Sequence, residues 1–552
     1  MTVGPTKAPA GAHLPPSDRG YLRSSPPAPD EVRRARLALL GVASLWVAVH
    51  VLWAGLDRPI NWDEAIHLTQ VVPARSTVFL EPHRTRGVGL LVAPIGLFDP
   101  SMSVLRAYLA ITSGIAIFAS FATWIRTLGY AAPLGAALFT AFAVTVFYGV
   151  EVLPNLPTAL AAVAVAGLTA QVVSSSAPIP PRQLWGAAGL MALLALLRPP
   201  DAALVGVMVA VTVMAMRPRV TWPFVTAAGA GGIAGLLPWF VEGAVRFGFG
   251  PIQLLRSGGE YGTNADVMNR LPIYIRFLEG PYRCSRSCER DLLEDGSLWA
   301  SPGTRTLLFL VVSGILVVVA ARYAGRRRRP ALVAFLVGAP ILALYATFSI
   351  MNQRYILPVI ALWLLVPAVG AVTAWFAVAG QPSARALRLV AAVTLVLALG
   401  WQYDMGTDRL RNNMGSRVEA RELGLELAAA SEGRPCAVAT ATARPMIEYW
   451  SGCRAVNLEE RDDGAIQDPV GELDSYVDLA ELQAAGHRIF ALAEDVDTAS
   501  PVSSWSSTPL ADGVTEGWVL YEHDEGDPLP SAPCPSGDGP ERILGGVLSP
   551  HC

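Results

Sequence analysis

Residues 37–68 read "LALLGVASLWVAVHVLWAGLDRPINWDEAIHL", and they set the class of the whole chain. The twenty residues 37–56, apolar or small but for His50, are enough to cross a bilayer as a helix. Directly beyond them come Arg58, the adjacent acids Asp63 and Glu64, and His67. The chemistry of interest therefore begins where the hydrocarbon ends.

The rest of the chain extends this reading. Of 552 residues, 52% are hydrophobic and only 16% charged, against about 25% charged in an ordinary soluble domain. Apolar runs near 37–56, 102–124, 131–150, 156–173, 184–197, 202–216, 221–244, 305–321, 331–350, 356–379 and 388–402 predict a polytopic α-helical membrane protein with about eleven transmembrane helices. The two runs within 184–216 are short, and a re-entrant hairpin is the alternative for them. Residues 1–34, rich in Pro, Ser and Gly, read as a disordered tail. They lack the apolar core and cleavage site of a secretory signal, so the first span is expected to remain as an anchor.

Arginine placement orients the spans. Arg33, Arg34, Arg36, Arg126, Arg182, Arg217, Arg219, Arg326 to Arg329, Arg385 and Arg388 fall on alternate, short connections, which predicts a cytoplasmic N-terminus. Cys284, Cys288, Cys436, Cys453, Cys534 and Cys552 all fall on the other side. An even set in one compartment reads as disulfides, with sequential neighbours as the simplest pairing. The expected location is a bacterial plasma membrane, with large extracytoplasmic segments at 57–101 and 245–303 and a C-terminal domain at 403–552. That tail alternates strand-like "CAVATA", "CRAVNL", "HRIFALA" and "GWVLYEH" with helix-like "ARPMIEYW", so a small α/β domain is expected there. A net charge of −3 gives no reason to expect a nucleic-acid partner.

Ionisable residues beside spans are costly and point to function. On the predicted outer face they include Asp63, Glu64, His67, Glu81, His83, Arg84, Arg86, Glu151, Arg198, Asp201, Glu242 and Arg354. Lys7 is the only lysine, so the cations available to hold an anion are arginines. Carboxylates and arginines at this depth suit sugar transfer from a lipid-linked phosphate: a carboxylate takes the acceptor proton and arginines hold the departing phosphate. Structural roles compete at each position. Asp63 and Glu64 are also what a helix N-terminus wants, Arg354 is a natural interfacial anchor, and Arg198 with Asp201 has ion-pair spacing. The Gly-rich "GAGGIAG", Gly229 to Gly235, lies inside an apolar run and reads as a helix-packing stripe.

"NWDEAIHL" after the first span resembles the acidic first-loop motif of the GT-C glycosyltransferases, such as protein O-mannosyltransferases and the lipid A aminoarabinose transferase. The "RY…P" of Arg354, Tyr355 and Pro358, and "EPHRTRGVGLLVAPI" from Glu81, are similar to further segments of that group. In the latter the usual lysine is absent, leaving Arg84 or Arg86 in its place. The resemblance covers roughly 37–402 and implies a polyprenyl-phosphate sugar donor, an extracytoplasmic acceptor, and inversion at the anomeric carbon. It implies Asp63 as base or acceptor-orienting acid, with Glu64 beside it, and Arg354, Arg84, Arg86 and Tyr355 around the donor phosphate. His67, Glu151 and Arg198 are candidates for substrate contact. No cofactor is required, although some members bind a divalent metal, for which Glu81 with His67 or His83 would be the donors here. The competing class is a transporter or flippase of a polar or lipid-linked solute. Against it stand the absence of an internal repeat and the clustering of charge at one face.

Overall fold

The structure is a computed structural model, and it describes residues 27–53, 55–73, 75, 82–216, 222–256, 283–284, 304–347, 351–377, 384–412, 414–440, 443–456, 479–494, 501–510, 515, 517–524 and 527. Each apolar run singled out above contains helix among its described residues. In chain order the helices are α1 (Pro29–Leu52), α2 (Trp62–Thr69), α3 (Gly87–Gly96), α4 (Met102–Leu128), α5 (Ala131–Ala141), α6 (Ala143–Tyr148) and α7 (Asn155–Ser174). There follow α8 (Pro181–Leu197), α9 (Pro199–Met216), α10 (Trp222–Phe247), α11 (Pro251–Arg256), α12 (Thr304–Tyr323), α13 (Arg328–Ala346), α14 (Leu357–Trp363), α15 (Leu365–Ala377) and α16 (Ala384–Asn412). Seven described segments are long and apolar enough to cross a membrane: Pro29–Leu52, Met102–Leu128, Asn155–Ser174, Pro199–Met216, Trp222–Phe247, Gly325–Ala346 and Gln353–Ala377. The expectation of about eleven spans is thus met in part, by seven among the described residues.

Two of the eleven runs differ from expectation. The run 131–150 is broken at Phe142, whose backbone turns extended (φ −67°, ψ 131°). The side chain of Gln402 on α16 accepts the hydrogen bond of Ala143 N at 3.2 Å, which satisfies a donor left over by the break. The last run does not stop at Trp401, because α16 continues to Asn412.

The bundle is organised around α7, which is apolar on all sides and buried along nearly its whole length, as a central helix must be. Outer helices show the opposite: Leu45 on α1, Ile115 on α4 and Ile233 on α10 are 64%, 64% and 71% exposed, the faces offered to lipid. The glycine stripe packs helices as expected. A Cβ on Gly231 would lie 2.0 Å from the Ala188 carbonyl oxygen, and one on Gly235 2.1 Å from that of Ala192. Only glycine lets α10 come this close to α8. At one end of the bundle Glu31 pairs with Arg327 of the arginine run at 3.0 Å. The acids of interest gather at the other.

Beyond α16 lie α17 (Gly415–Ala430) and α18 (Arg444–Ser451) together with a five-stranded sheet. A two-residue pairing, β1 (Arg283–Cys284) against β2 (Met351–Asn352), stands apart from that sheet. The sheet order is β4 (Arg454–Val456), β3 (Cys436–Thr440), β5 (Arg488–Ala493), β7 (Val519–Glu522), β6 (Ser506–Pro509). Strand β3 runs parallel to both neighbours, with Ala437 opposite Arg454 and Ile489. Strand β7 is antiparallel to β5 and β6. The expected strands and helix are all present, and β6, whose four residues are exposed, joins them at an edge. Cys436 and Cys453 form a disulfide, as expected of sequential neighbours. The other expected pairings, of Cys284 with Cys288 and Cys534 with Cys552, involve positions outside the described side chains.

This domain is packed onto the membrane part. Ile60, Ala65 and Leu68 of the first loop share one apolar cluster with Leu423, Leu427, Val438, Ile447 and Tyr449. The Arg75 guanidinium donates to the Tyr449 carbonyl and lies over its ring, 5.0 Å from the centroid.

Candidate active site

The site is built on the short helix α2. Asn61 caps it: its side-chain oxygen accepts from Glu64 N at 2.9 Å, while Glu64 Oε2 accepts from Asn61 N at 3.0 Å. This capping box satisfies two orphan donors and fixes the first turn. Successive residues on a helix point about 100° apart, so the two adjacent acids are sent in different directions.

Asp63 points to the partly open side. Its Oδ1 accepts from Arg84 Nη1 at 2.9 Å and its Oδ2 from Arg354 Nη1 at 2.7 Å. The side chains of Asp63, Arg84 and Arg354 are 19%, 18% and 17% exposed, so the trio is lined by protein yet reachable. Burial alone would raise the Asp63 carboxyl, but Arg354 and then Arg84 outweigh it and hold it below the ordinary carboxylate range. Arg354 is itself anchored through its backbone, its N donating to Asn352 Oδ1 at 3.1 Å and its carbonyl accepting from Asn155 Nδ2 at 3.1 Å. His67, one turn on from Asp63, is buried and brought down to about 3 by that burial and by Arg84, so its ring is neutral.

Glu64 points into the protein and is fully enclosed. Both its oxygens engage the Arg106 guanidinium, and Val152 N donates to Oε1 at 2.7 Å. Burial raises this carboxyl, but Arg106 overrides it and brings it to about 2. Arg106 also donates to the carbonyls of Val150, Arg58 and Pro59. Glu151, likewise buried, accepts from Asn61 Nδ2 at 3.1 Å and from Arg417 Nη2 at 2.8 Å, with Arg58 Nη2 4.0 Å away. The geometry gives Glu64 and Glu151 the work of holding α2.

Arg86 is turned away from Asp63. Its Nε donates to both oxygens of Glu242 at 3.0 and 2.9 Å, fastening the first loop to the end of α10. The same segment is held by Trp239 Nε1 donating to the Pro82 carbonyl and Thr85 Oγ1 to that of Leu197. Arg198 makes its i,i+3 ion pair with Asp201 at 3.1 Å and lies 4.9 Å from the ring centroids of both Tyr345 and Tyr355. Tyr355 in turn sits 5.4 Å from the Arg354 guanidinium, so Arg198 adjoins the trio through one aromatic ring. His83 is half-buried in the turn before Arg84, and Glu81 lies outside the described residues. Among the described residues no three His, Cys, Asp or Glu side chains converge as a metal would need.

Sequence reasoning therefore placed Asp63, Arg84 and Arg354 in one site, and passed over Arg58, Arg106 and Arg417. Arg106 carried a signal, as the only charge within the apolar run 102–124. Arg417, in the tail, carried none.

No protein-family model matches the sequence, and no curated protein of similar sequence is found. Solved structures do match in shape. ArnT from Cupriavidus metallidurans bound to undecaprenyl phosphate superposes with a TM-score of 0.57 at 14% identity, covering 89% of this chain and 98% of that one. The apo oligosaccharyltransferase of Archaeoglobus fulgidus gives a TM-score of 0.53 at 13% identity, over 83% of this chain and 69% of that one. With seven described segments long and apolar enough to cross a membrane, the chain is a multi-pass membrane protein that shares the fold of these structures.

Proposed function

We propose that the chain is a membrane glycosyltransferase that moves a sugar from a polyprenyl-phosphate donor to an extracytoplasmic acceptor in the cell envelope. The observation that carries this reading is Asp63 held between Arg84 and Arg354, partly exposed, at one end of an apolar bundle. The bilayer delivers the donor's lipid, and the phosphate comes to rest at the depth of these arginines.

In this reading Asp63 takes the proton of the acceptor hydroxyl. The acceptor oxygen then attacks the anomeric carbon from the side opposite the phosphate, inverting it. The bond from that carbon to the phosphate oxygen breaks, and the electron pair leaves with the phosphate. Arg84 and Arg354 receive the charge through short ionic hydrogen bonds. The two arginines that depress Asp63 in the free protein are the same two the phosphate would engage. Donor binding therefore draws them from the carboxylate and restores its basicity. Tyr355 lies against Arg354, Arg86 fastens the loop through Glu242, and Glu64 and Glu151 hold α2. The scheme needs no cofactor, and no step in it passes through a metal. The site end faces the extracytoplasmic side of a bacterial plasma membrane, with the N-terminus in the cytoplasm.

Among the described residues the acids and arginines of the site gather at one end of the bundle, which favours transfer over transport. The test is to supply the purified protein in vesicles with radiolabelled polyprenyl-phosphate sugar and a membrane extract. Label passing to the extract supports the proposal. Donor that is bound and translocated with its sugar intact makes the protein a transporter instead.

A further inference from the structure

We propose that Arg417, on the first helix of the C-terminal domain, is a positioning residue for Asp63, so that the site is complete only with that domain docked. The proposal rests on the function given above and concerns how its base is aimed.

Helix α17 is fixed by its own packing. Ala420, Leu423, Gly424 and Leu427 are its buried face. A Cβ on Gly424 would meet Trp450 Cβ at 2.5 Å, so α17 and α18 lie in close contact. Helix α18 belongs to the cluster that also holds Ala65 and Leu68 of α2. From the first turn of α17 the Arg417 side chain, 12% exposed, reaches back under the membrane-edge loop. Its Nη2 donates to Glu151 Oε1 at 2.8 Å, and its Nη1 stands 3.9 Å from Glu64 Oε2.

These contacts lead to the base in two steps. Glu151 uses its other oxygen to accept from Asn61 Nδ2 at 3.1 Å. Asn61 caps α2 and exchanges hydrogen bonds with Glu64. Asp63 lies between these two residues in the first turn, so the azimuth of its carboxylate follows the capping box. Arg106 already neutralises Glu64, which leaves Glu151 as the acid that Arg417 balances. Without Arg417 the Glu151 carboxylate loses its hydrogen-bonded guanidinium and keeps only Arg58, 4.0 Å away, so the pull on Asn61 changes. An aim altered by about 1 Å is enough to lower turnover roughly 100-fold.

Three variants of the full chain test this: Arg417→Gln, Arg417→Lys, and the double Arg417→Gln with Glu151→Gln. Hydrogen exchange is followed at 62–69, 155–174 and 436–456, with kcat and donor KM measured beside it. The expected result for Arg417→Gln is faster exchange confined to 62–69, kcat down about 100-fold and donor KM within about threefold. Arg417→Lys recovers most of both, and the double variant falls no further than the single, since the two residues act as one unit. The double variant removes one charge of each sign and so keeps the net charge of the cluster, and it stands in should Arg417→Gln fail to fold. Unchanged exchange at 62–69 overturns the proposal. So does a loss of protection spread equally over 62–69 and 436–456, which would make Arg417 a general stabiliser. The exchange measurement needs no sugar transfer, so a chain that transfers nothing sinks the functional reading and leaves this one to be decided at α2.

Discussion

Replacing Arg106 by methionine probes the enclosed half of the site. Glu64 has no solvent-exposed side-chain surface, and its carboxyl is held near 2 against an ordinary 4.5. Burial works against this value and Arg106 works for it. A lowering of that size corresponds to about 3 kcal/mol of stabilisation of the folded state, in line with the roughly 3–5 kcal/mol lost when one member of a buried pair is removed. Because the folded carboxyl has the lower pKa, this stabilisation is present in full above about pH 4.5 and is lost as pH falls towards 2. In Arg106→Met the carbonyls of Val150, Arg58 and Pro59 also lose their donor. Hydrogen exchange at the α2 amides, corrected for intrinsic rate, is the assay. At pH 7 the variant is expected to exchange there roughly 100-fold faster, since about 3 kcal/mol is two factors of ten. Its dependence on pH is expected to reverse. A buried carboxylate left with only Arg417, 3.9 Å away, gains from protonation, so acidification to pH 5 should restore part of the protection that the wild-type helix never lost. Unchanged protection of α2 at pH 7, or the same acid response as wild type, would refute the assignment of Glu64 to holding the helix.

Other expectations follow from single contacts. Replacing Cys436 and Cys453 by serine opens a loop of sequence separation 17 and should cost about 3 kcal/mol, read by proteolysis of the full chain in urea. Gly235→Leu should lower thermal stability by about 1–3 kcal/mol or more, because its Cβ lands on the Ala192 carbonyl. Gly229→Ala, with open space around it, should be neutral or slightly stabilising. Arg354→Lys keeps the charge but lacks the planar fork, and donor affinity measured by scintillation proximity should fall about tenfold.

Much of this architecture is legible in the sequence because a bilayer imposes strict rules. The apolar runs had to be helical, and the arginine bias sorted their connections. Two residues 291 positions apart, Asp63 and Arg354, could therefore be assigned to one face and do meet there. What stayed hidden depends on angles and packing. The division of labour between Asp63 and Glu64 follows from the rotation of α2, which a linear "DE" does not contain. The break at Phe142 has no Pro or Gly to mark it, and its compensation comes from Gln402, far along the chain. Arg417 looks like any exposed-helix arginine until α17 is docked. The four exposed residues of β6 offer no alternating pattern from which to read a strand.

Asp63, held between Arg84 and Arg354, is the group proposed to take the acceptor proton. Asp63→Asn keeps the size and removes the charge, so the measurement is label transfer from radiolabelled polyprenyl-phosphate sugar to a membrane extract, alongside donor binding. Transfer should fall by about 100-fold or more while donor is bound at least as well, since both arginines are released to the phosphate. Transfer at the wild-type rate by Asp63→Asn would contradict the account.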